Sequence, residues 1–134
     1  MRKGLIRRVA ALHRGSVNRS ILILSAVTGF LGVALGAFGA HALKGLPADQ
    51  LAWWETGARY HLIHAVAIGV AAAANAKWAG RLFAAGVLVF SGSLYAMALT
   101  NVRGLGAVTP IGGLLMLAAW ALLGYSALKG EGRT

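Results

Sequence analysis

Four long apolar runs constrain the fold of this chain more than any other feature. They occupy residues 20–43, 53–76, 82–100 and 109–128. At about 1.5 Å per residue, a helix of this length crosses a hydrocarbon core of roughly 30 Å. Only 12% of the residues are charged and 58% are hydrophobic, which is too apolar for a soluble domain with one core. We therefore predict an all-α fold, a four-helix transmembrane bundle over residues 20–128, with the lipid bilayer as its surroundings.

The chain begins with a basic arm, residues 1–19, and ends with a polar tail, residues 129–134. The arm combines six cations with Leu5, Ile6, Val9 and Leu12 at near-helical spacing. This pattern is typical of an amphipathic helix that binds anionic lipid headgroups, and the alternative is a disordered arm that only fixes orientation. The net charge of +10 lies at the segment ends rather than on one face, so we expect no nucleic-acid partner.

The distribution of Lys and Arg predicts the orientation. Four spans bring both chain ends to one side of the membrane, which we call the terminal side. Ten of the 13 Lys and Arg residues lie there, and only Lys44, Arg59 and Arg103 lie on the opposite side. Because cytoplasmic loops carry the excess of Lys and Arg, we predict cytoplasmic N and C termini in a multi-pass protein of the bacterial inner (plasma) membrane.

Four glycines in the first span form a helix-packing face. Gly29, Gly32, Gly36 and Gly39 fall within an arc of about 80° when each residue advances by about 100°. Small residues let a neighbouring helix approach closely in a membrane. We favour packing within the chain, and the alternative is a second copy of the chain or another membrane protein docked on this face.

The orientation also gathers the polar residues of the spans beneath the non-cytoplasmic surface. Buried ionisable groups in a membrane must face the bundle interior and find partners. Glu55 and Arg59 are four residues apart and can pair, whereas the nearby histidines occupy another helix face. Either Gly57 interrupts the helix and lets Glu55 reach the histidines, or an interfacial ion pair and a separate histidine face exist; we favour the second. The candidate cluster comprises His41, Glu55, Arg59, Tyr60, His61, His64 and Thr109.

The histidines admit three interpretations. We favour neutral imidazoles that bond to Thr100, Asn101, a backbone carbonyl or each other and so fix the helices. His41, His61 and His64 are weak candidates for a metal site, since imidazoles three residues apart can share an ion. A proton relay is the third, because histidine titrates near neutral pH. We expect no cofactor.

The remaining polar groups predict capping rather than catalysis. Thr109 suits the N-cap of the fourth span with Pro110 at its first position, although the free N–H groups there could also hold an anion. Ser91 and Ser93 lack a histidine and an acid in a catalytic order, and the chain contains no cysteine. Because these catalytic groups are missing, we expect that the protein is not an enzyme. Trp53 and Trp54 suit the membrane interface.

Four motifs in order resemble the YgdD-like family of small inner-membrane proteins. They are Gly36-Ala-Phe-Gly-Ala-His41, Trp54-Glu-Thr-Gly with Tyr60-His-Leu-Ile-His-Ala65, Phe90-Ser-Gly-Ser-Leu-Tyr95 and Thr109-Pro-Ile-Gly-Gly113. The resemblance covers about residues 20–128 and implies four spans in a membrane. It implies no activity, substrate or cofactor, and the basic arm is an addition to the family pattern.

Taken together, these features predict a small accessory or scaffolding subunit of a membrane complex. Its partner is another membrane protein or a second copy of the chain. The alternative is a binder or transporter of a ligand, metal or proton that uses the histidine cluster.

Overall fold

The computed structural model describes residues 1–12 and 16–131. The helices are α1 (Arg2–Leu12), α2 (Arg19–Ala42), α3 (Ala48–Ala73), α4 (Lys77–Thr100) and α5 (Thr109–Glu131), with a short 3₁₀ segment at Arg103–Ala107 before α5. No strand occurs in the two ranges described. Three stretches are long and apolar enough to cross a membrane: Arg19–Ala42, Lys77–Thr100 and Arg103–Gly130. The predicted all-α class is confirmed, and the cytoplasmic position of the termini stays a prediction.

The remaining helix of the bundle, α3, is less apolar than these three stretches. Glu55, Arg59 and two histidines interrupt its hydrophobic residues. Its 26 residues span about 39 Å at 1.5 Å per residue, enough to cross a bilayer. It packs between α2 and α4, and α4 packs in turn against α5. The α3–α4 hairpin is therefore the centre of the bundle, and α2 and α5 are its outer helices. This arrangement explains how α3 tolerates the two histidines, His61 and His64, since the neighbouring helices bury them.

Short connections make neighbouring helices antiparallel. The side chains between the helices form two apolar clusters. Near the terminal side, Ile21, Ile68, Phe83 and Ala119 belong to one cluster, which draws on all four helices of the bundle. Near the opposite side, Trp54 packs with Leu43 and Ala98. The Asn18 amide donates to the Ala72 carbonyl at 3.0 Å, which joins the start of α2 to the end of α3.

Two helices begin earlier than the predicted spans. α3 starts at Ala48 rather than Trp53, because Pro47 and Asp49 form its N-terminus instead of a loop; the Asp49 carboxylate accepts from the Gln50 amide at 3.0 Å. α4 starts at Lys77 rather than Leu82, so the sequence from Lys77 to Arg81 is its first turn. The connection is instead the turn around Asn75, whose φ of 53° is left-handed.

Glycines mark the close approaches between helices. A methyl group on Gly32 would lie 2.9 Å from Leu62 and 3.2 Å from the His61 ring, and one on Gly39 would collide with the Trp54 indole. Gly29 lies at ordinary contact distance from Ala65, and Gly36 faces open space. The glycine face of α2 thus packs mainly on α3 of the same chain.

The basic arm is partly helical. α1 covers Arg2–Leu12, and residues 1–8 are exposed. Arg14 of the arm, and Arg133 of the polar tail, lie outside the described residues. Binding of α1 to anionic headgroups stays a prediction.

Candidate functional site

His61 connects three helices. It is 6% exposed, and its Nε2 lies 2.9 Å from the Thr28 carbonyl of α2. Because a carbonyl only accepts, Nε2 carries the proton and donates this bond. The Nδ1 atom then accepts from the Tyr95 hydroxyl of α4 at 3.1 Å. Both nitrogens of His61 are therefore bonded, one to α2 and the other to α4.

His64 has the opposite tautomer and connects α3 to α5. It is also 6% exposed, and its Nδ1 donates to the Tyr60 carbonyl one turn earlier at 2.8 Å. Its Nε2 accepts from the Trp120 indole N–H at 3.3 Å. The His64 ring also packs on Phe83, with the centroids 5.7 Å apart. Both histidines thus connect helices, and their acceptors are backbone carbonyls, one of the partners named in the favoured interpretation.

These bonds leave no nitrogen of either ring for a metal ion. His41 is exposed at the end of α2, and within the described part of the chain no group of three His, Cys, Asp or Glu residues could hold a metal. Nothing in this geometry favours the metal interpretation of His41, His61 and His64.

The predicted cluster of seven residues does not form a single site. His61 and His64 lie about halfway along α3 rather than near its N-terminal end, because α3 begins at Ala48. Glu55 and Arg59 are exposed, and Tyr60 is 40% exposed and stacks on His64.

The helix continues through Gly57, so Glu55 does not fold back to the histidines. Gly57 instead lets α3 approach α4, since a methyl group there would lie 3.1 Å from the Tyr95 ring. Among the residues described, the recorded salt bridge is Arg103–Asp49 at 2.7 Å rather than Glu55–Arg59.

Two further predictions are corrected. The Thr109 hydroxyl lies 2.6 Å from that of Ser93, so it joins α5 to α4 instead of capping the α5 amides. Trp54 is 3% exposed rather than interfacial, and its indole N–H donates to the Leu35 carbonyl at 2.9 Å. Because Gly39 makes room for the ring, Trp54 packs inside the bundle.

Trp120 and Thr28 were not among the partners predicted for the histidines. A buried or lipid-facing indole N–H needs an acceptor, so a tryptophan in the middle of α5 was a usable signal. The Thr28 contact uses a backbone carbonyl, which carries no sequence signal.

An open apolar cleft lies between α2 and α4, and we call it the α2–α4 cleft. Its volume is about 470 Å³, within the range of roughly 300–1,000 Å³ of small-molecule sites. Residues between Leu24 and Leu35 form one wall, residues between Ala84 and Tyr95 the other, and His61 lies at the floor. The helices meet near the terminal side, where Ile21 packs on Gly80, and the cleft begins beyond this contact.

The polar groups of the cleft are already bonded. The Ser91 hydroxyl donates to the Gly57 carbonyl and that of Thr28 to the Leu24 carbonyl, both at 2.7 Å. Throughout the described residues, every buried side-chain nitrogen or oxygen has a partner. The cleft therefore presents hydrocarbon to an occupant, and an apolar ligand suits it better than a polar one.

Gly92 has no side chain to fill the cleft on its α4 side. A methyl group on it would meet nothing within 4 Å, unlike those on Gly32, Gly39, Gly57 and Gly86. Glycine within a helix costs about 1 kcal/mol relative to alanine, and no contact between helices of this chain requires it here. Its position widens the cleft.

Comparisons with known proteins find one family throughout. The family model described as "Protein of unknown function (DUF423)" matches residues 35–113. The UPF0382 membrane protein SH2409 of Staphylococcus haemolyticus is 45% identical over 81% of this chain and 94% of its own length. The UPF0382 inner membrane protein YgdD of Escherichia coli K12 is 42% identical over 84% and 92%, and YwdK of Bacillus subtilis is 40% identical over 81% and 95%. No solved structure matches the chain.

Proposed function

The chain belongs to the DUF423 family of unknown function, and on that premise we propose that it is a non-enzymatic accessory protein that binds an apolar ligand in the α2–α4 cleft. We place it in the bacterial inner membrane, as the name of the Escherichia coli relative says of that protein. The excess of Lys and Arg on the terminal side supports cytoplasmic termini.

One observation carries this proposal: the cleft is open while the polar groups around it are paired. General acid–base or nucleophilic chemistry needs a titratable group within reach of a substrate. His61 has both ring nitrogens committed to Thr28 and Tyr95, and His64 has both committed to Tyr60 and Trp120. Binding by shape and apolar contact is what this arrangement supports.

Native mass measurement after gentle detergent extraction tests the proposal. We expect the purified protein to retain one apolar molecule. Gly92→Leu, which fills the cleft, should lose most of it. Gly36→Leu is the matched control, because Gly36 is also a helical glycine facing open space but does not line the cleft. A bare monomer, or equal retention by the protein and both variants, would contradict the proposal.

A further inference from the structure

Two exposed cations continue the α4 face of the α2–α4 cleft towards the terminal side. On a helix, residues three or four positions apart share a face. Arg81 therefore lies one turn before Ala85, which lines the cleft, and Lys77 lies one turn before Arg81. Both cations lie beside the Trp78 ring, with the Arg81 guanidinium carbon 4.8 Å and the Lys77 ammonium 5.8 Å from its centroid.

This cationic group has the properties of a headgroup contact. Trp78 is 59% exposed at the start of α4, where an amphipathic ring suits the level of lipid headgroups. Neither Lys77 nor Arg81 forms a salt bridge with any residue that the structure describes. A phosphate anion of a lipid is the counter-charge that a membrane supplies at this level.

The end of the cleft away from the terminal side is closed by aromatic residues rather than flanked by cations. There Trp54 packs on Tyr95 with centroids 4.4 Å apart, and Leu35 packs against the same cluster. Of the three cations on that side, Arg103 is bound to Asp49 at 2.7 Å, and neither Lys44 nor Arg59 lies on a helix wall of the cleft. The two ends of the cleft therefore differ: cations lie beyond its terminal end, and an aromatic cluster lies at the other end.

The length of the cleft fits one hydrocarbon chain. Its walls extend from Leu24 to Leu35 and from Ala84 to Tyr95. At about 1.5 Å per residue this is roughly 16 Å, about half of a hydrocarbon core of roughly 30 Å and hence one leaflet. We propose that the α2–α4 cleft binds one acyl chain of an anionic phospholipid from the leaflet on the terminal side, with its phosphate held by Lys77 and Arg81. This inference rests on the proposed function and names its ligand class.

Lipid competition in native mass spectrometry tests this assignment. The full chain is equilibrated with phosphatidylglycerol and phosphatidylcholine of identical acyl chains. Each cation near a membrane surface contributes about fivefold in affinity, so the protein should prefer phosphatidylglycerol by about tenfold or more. Lys77→Gln combined with Arg81→Gln should lower this preference to less than about threefold and still retain bound lipid, because the cleft is unchanged.

Lys129→Gln is the matched control for loss of one positive charge. Lys129 lies over the Tyr125 ring on α5, near the same side of the membrane but away from the cleft. Its removal should leave the preference unchanged. If Lys129→Gln reduces the preference as much as the Lys77 and Arg81 variant, net charge rather than the proposed site selects the lipid, and the assignment is wrong.

The remaining outcomes separate this inference from the proposed function. Retention of lipid with no preference for phosphatidylglycerol overturns the headgroup assignment alone. Loss of all apolar ligand from the protein overturns both. Glycerol phosphate has no acyl chain, so displacement of the lipid by it would overturn the inference. A dimer that Gly92→Leu dissociates would show that a second copy of the chain occupies the cleft, and would also overturn it.

Discussion

At the scale of single residues, the structure makes the histidines connectors of helices. Tyr95→Phe removes only the hydroxyl that donates to His61 Nδ1. Interhelical side-chain hydrogen bonds in membrane proteins contribute about 0.6 kcal/mol on average and up to about 1.7 kcal/mol. We expect Tyr95→Phe to lower the free energy of unfolding by about 1 kcal/mol in a denaturant titration in detergent.

Tyr125→Phe is the control for this prediction. The same hydroxyl is lost, but Tyr125 is 54% exposed and lies on the outer helix α5. Exposed substitutions usually change stability by less than about 0.5 kcal/mol. Equal effects of the two variants would show that the Tyr95–His61 bond does not stabilise the bundle.

Some of these contacts were predictable from sequence and others were not. A buried, hydrogen-bonded role for His61 and His64 follows from the cost of ionisable groups in lipid. The choice of partners does not, because it depends on the rotation of α3 relative to α2, α4 and α5. Trp54 shows the same limit: a tryptophan near a predicted span end suggested the interface, but Gly39 of α2 leaves room for its ring inside the bundle.

At the scale of helices, the glycine face of α2 sets the distance between α2 and α3. Gly39→Leu would collide with the Trp54 indole and displace its bond to the Leu35 carbonyl. Overpacking of this kind typically costs about 1–3 kcal/mol. We expect this loss in the same denaturant titration, together with a changed fluorescence of Trp54.

Gly36→Leu serves as the control on the same helix. Gly36 faces open space, so the added side chain should reach lipid without destabilising the bundle, and leucine also has the higher helix propensity. If both variants are equally destabilised, the bulk of the added side chain on α2 rather than its contact with α3 explains the effect. The stripe of four glycines was readable from sequence, whereas the difference between Gly36 and Gly39 depends on which α3 side chain lies opposite each.

At the scale of the whole molecule, we predict that both chain ends lie on the cytoplasmic side. The chain contains no cysteine, so single cysteines report accessibility without background. In intact cells, a membrane-impermeant maleimide should label Gly45→Cys in the α2–α3 connection but not Lys129→Cys at the end of α5.

Both positions should be labelled once the membrane is opened. Labelling of Lys129→Cys alone in intact cells would reverse the orientation, and labelling of neither position after opening would show that these sites are not exposed. The all-α class and the order of the four long helices followed from the apolar runs of the sequence. The α2–α4 cleft could not be predicted, because it depends on the spacing of two helices that are not consecutive.

The buried polar groups are committed to contacts within the bundle, so the apolar cleft is the surface left for binding. ¹⁵N NMR of the histidines in lipid bilayers at pH 7 measures this directly, with His61→Phe and His64→Phe variants to assign the signals. We expect two neutral rings of opposite tautomer, protonated at Nε2 in His61 and at Nδ1 in His64, both unchanged by added zinc. An imidazolium or a zinc-shifted signal from either residue would show that the ring is not committed in this way.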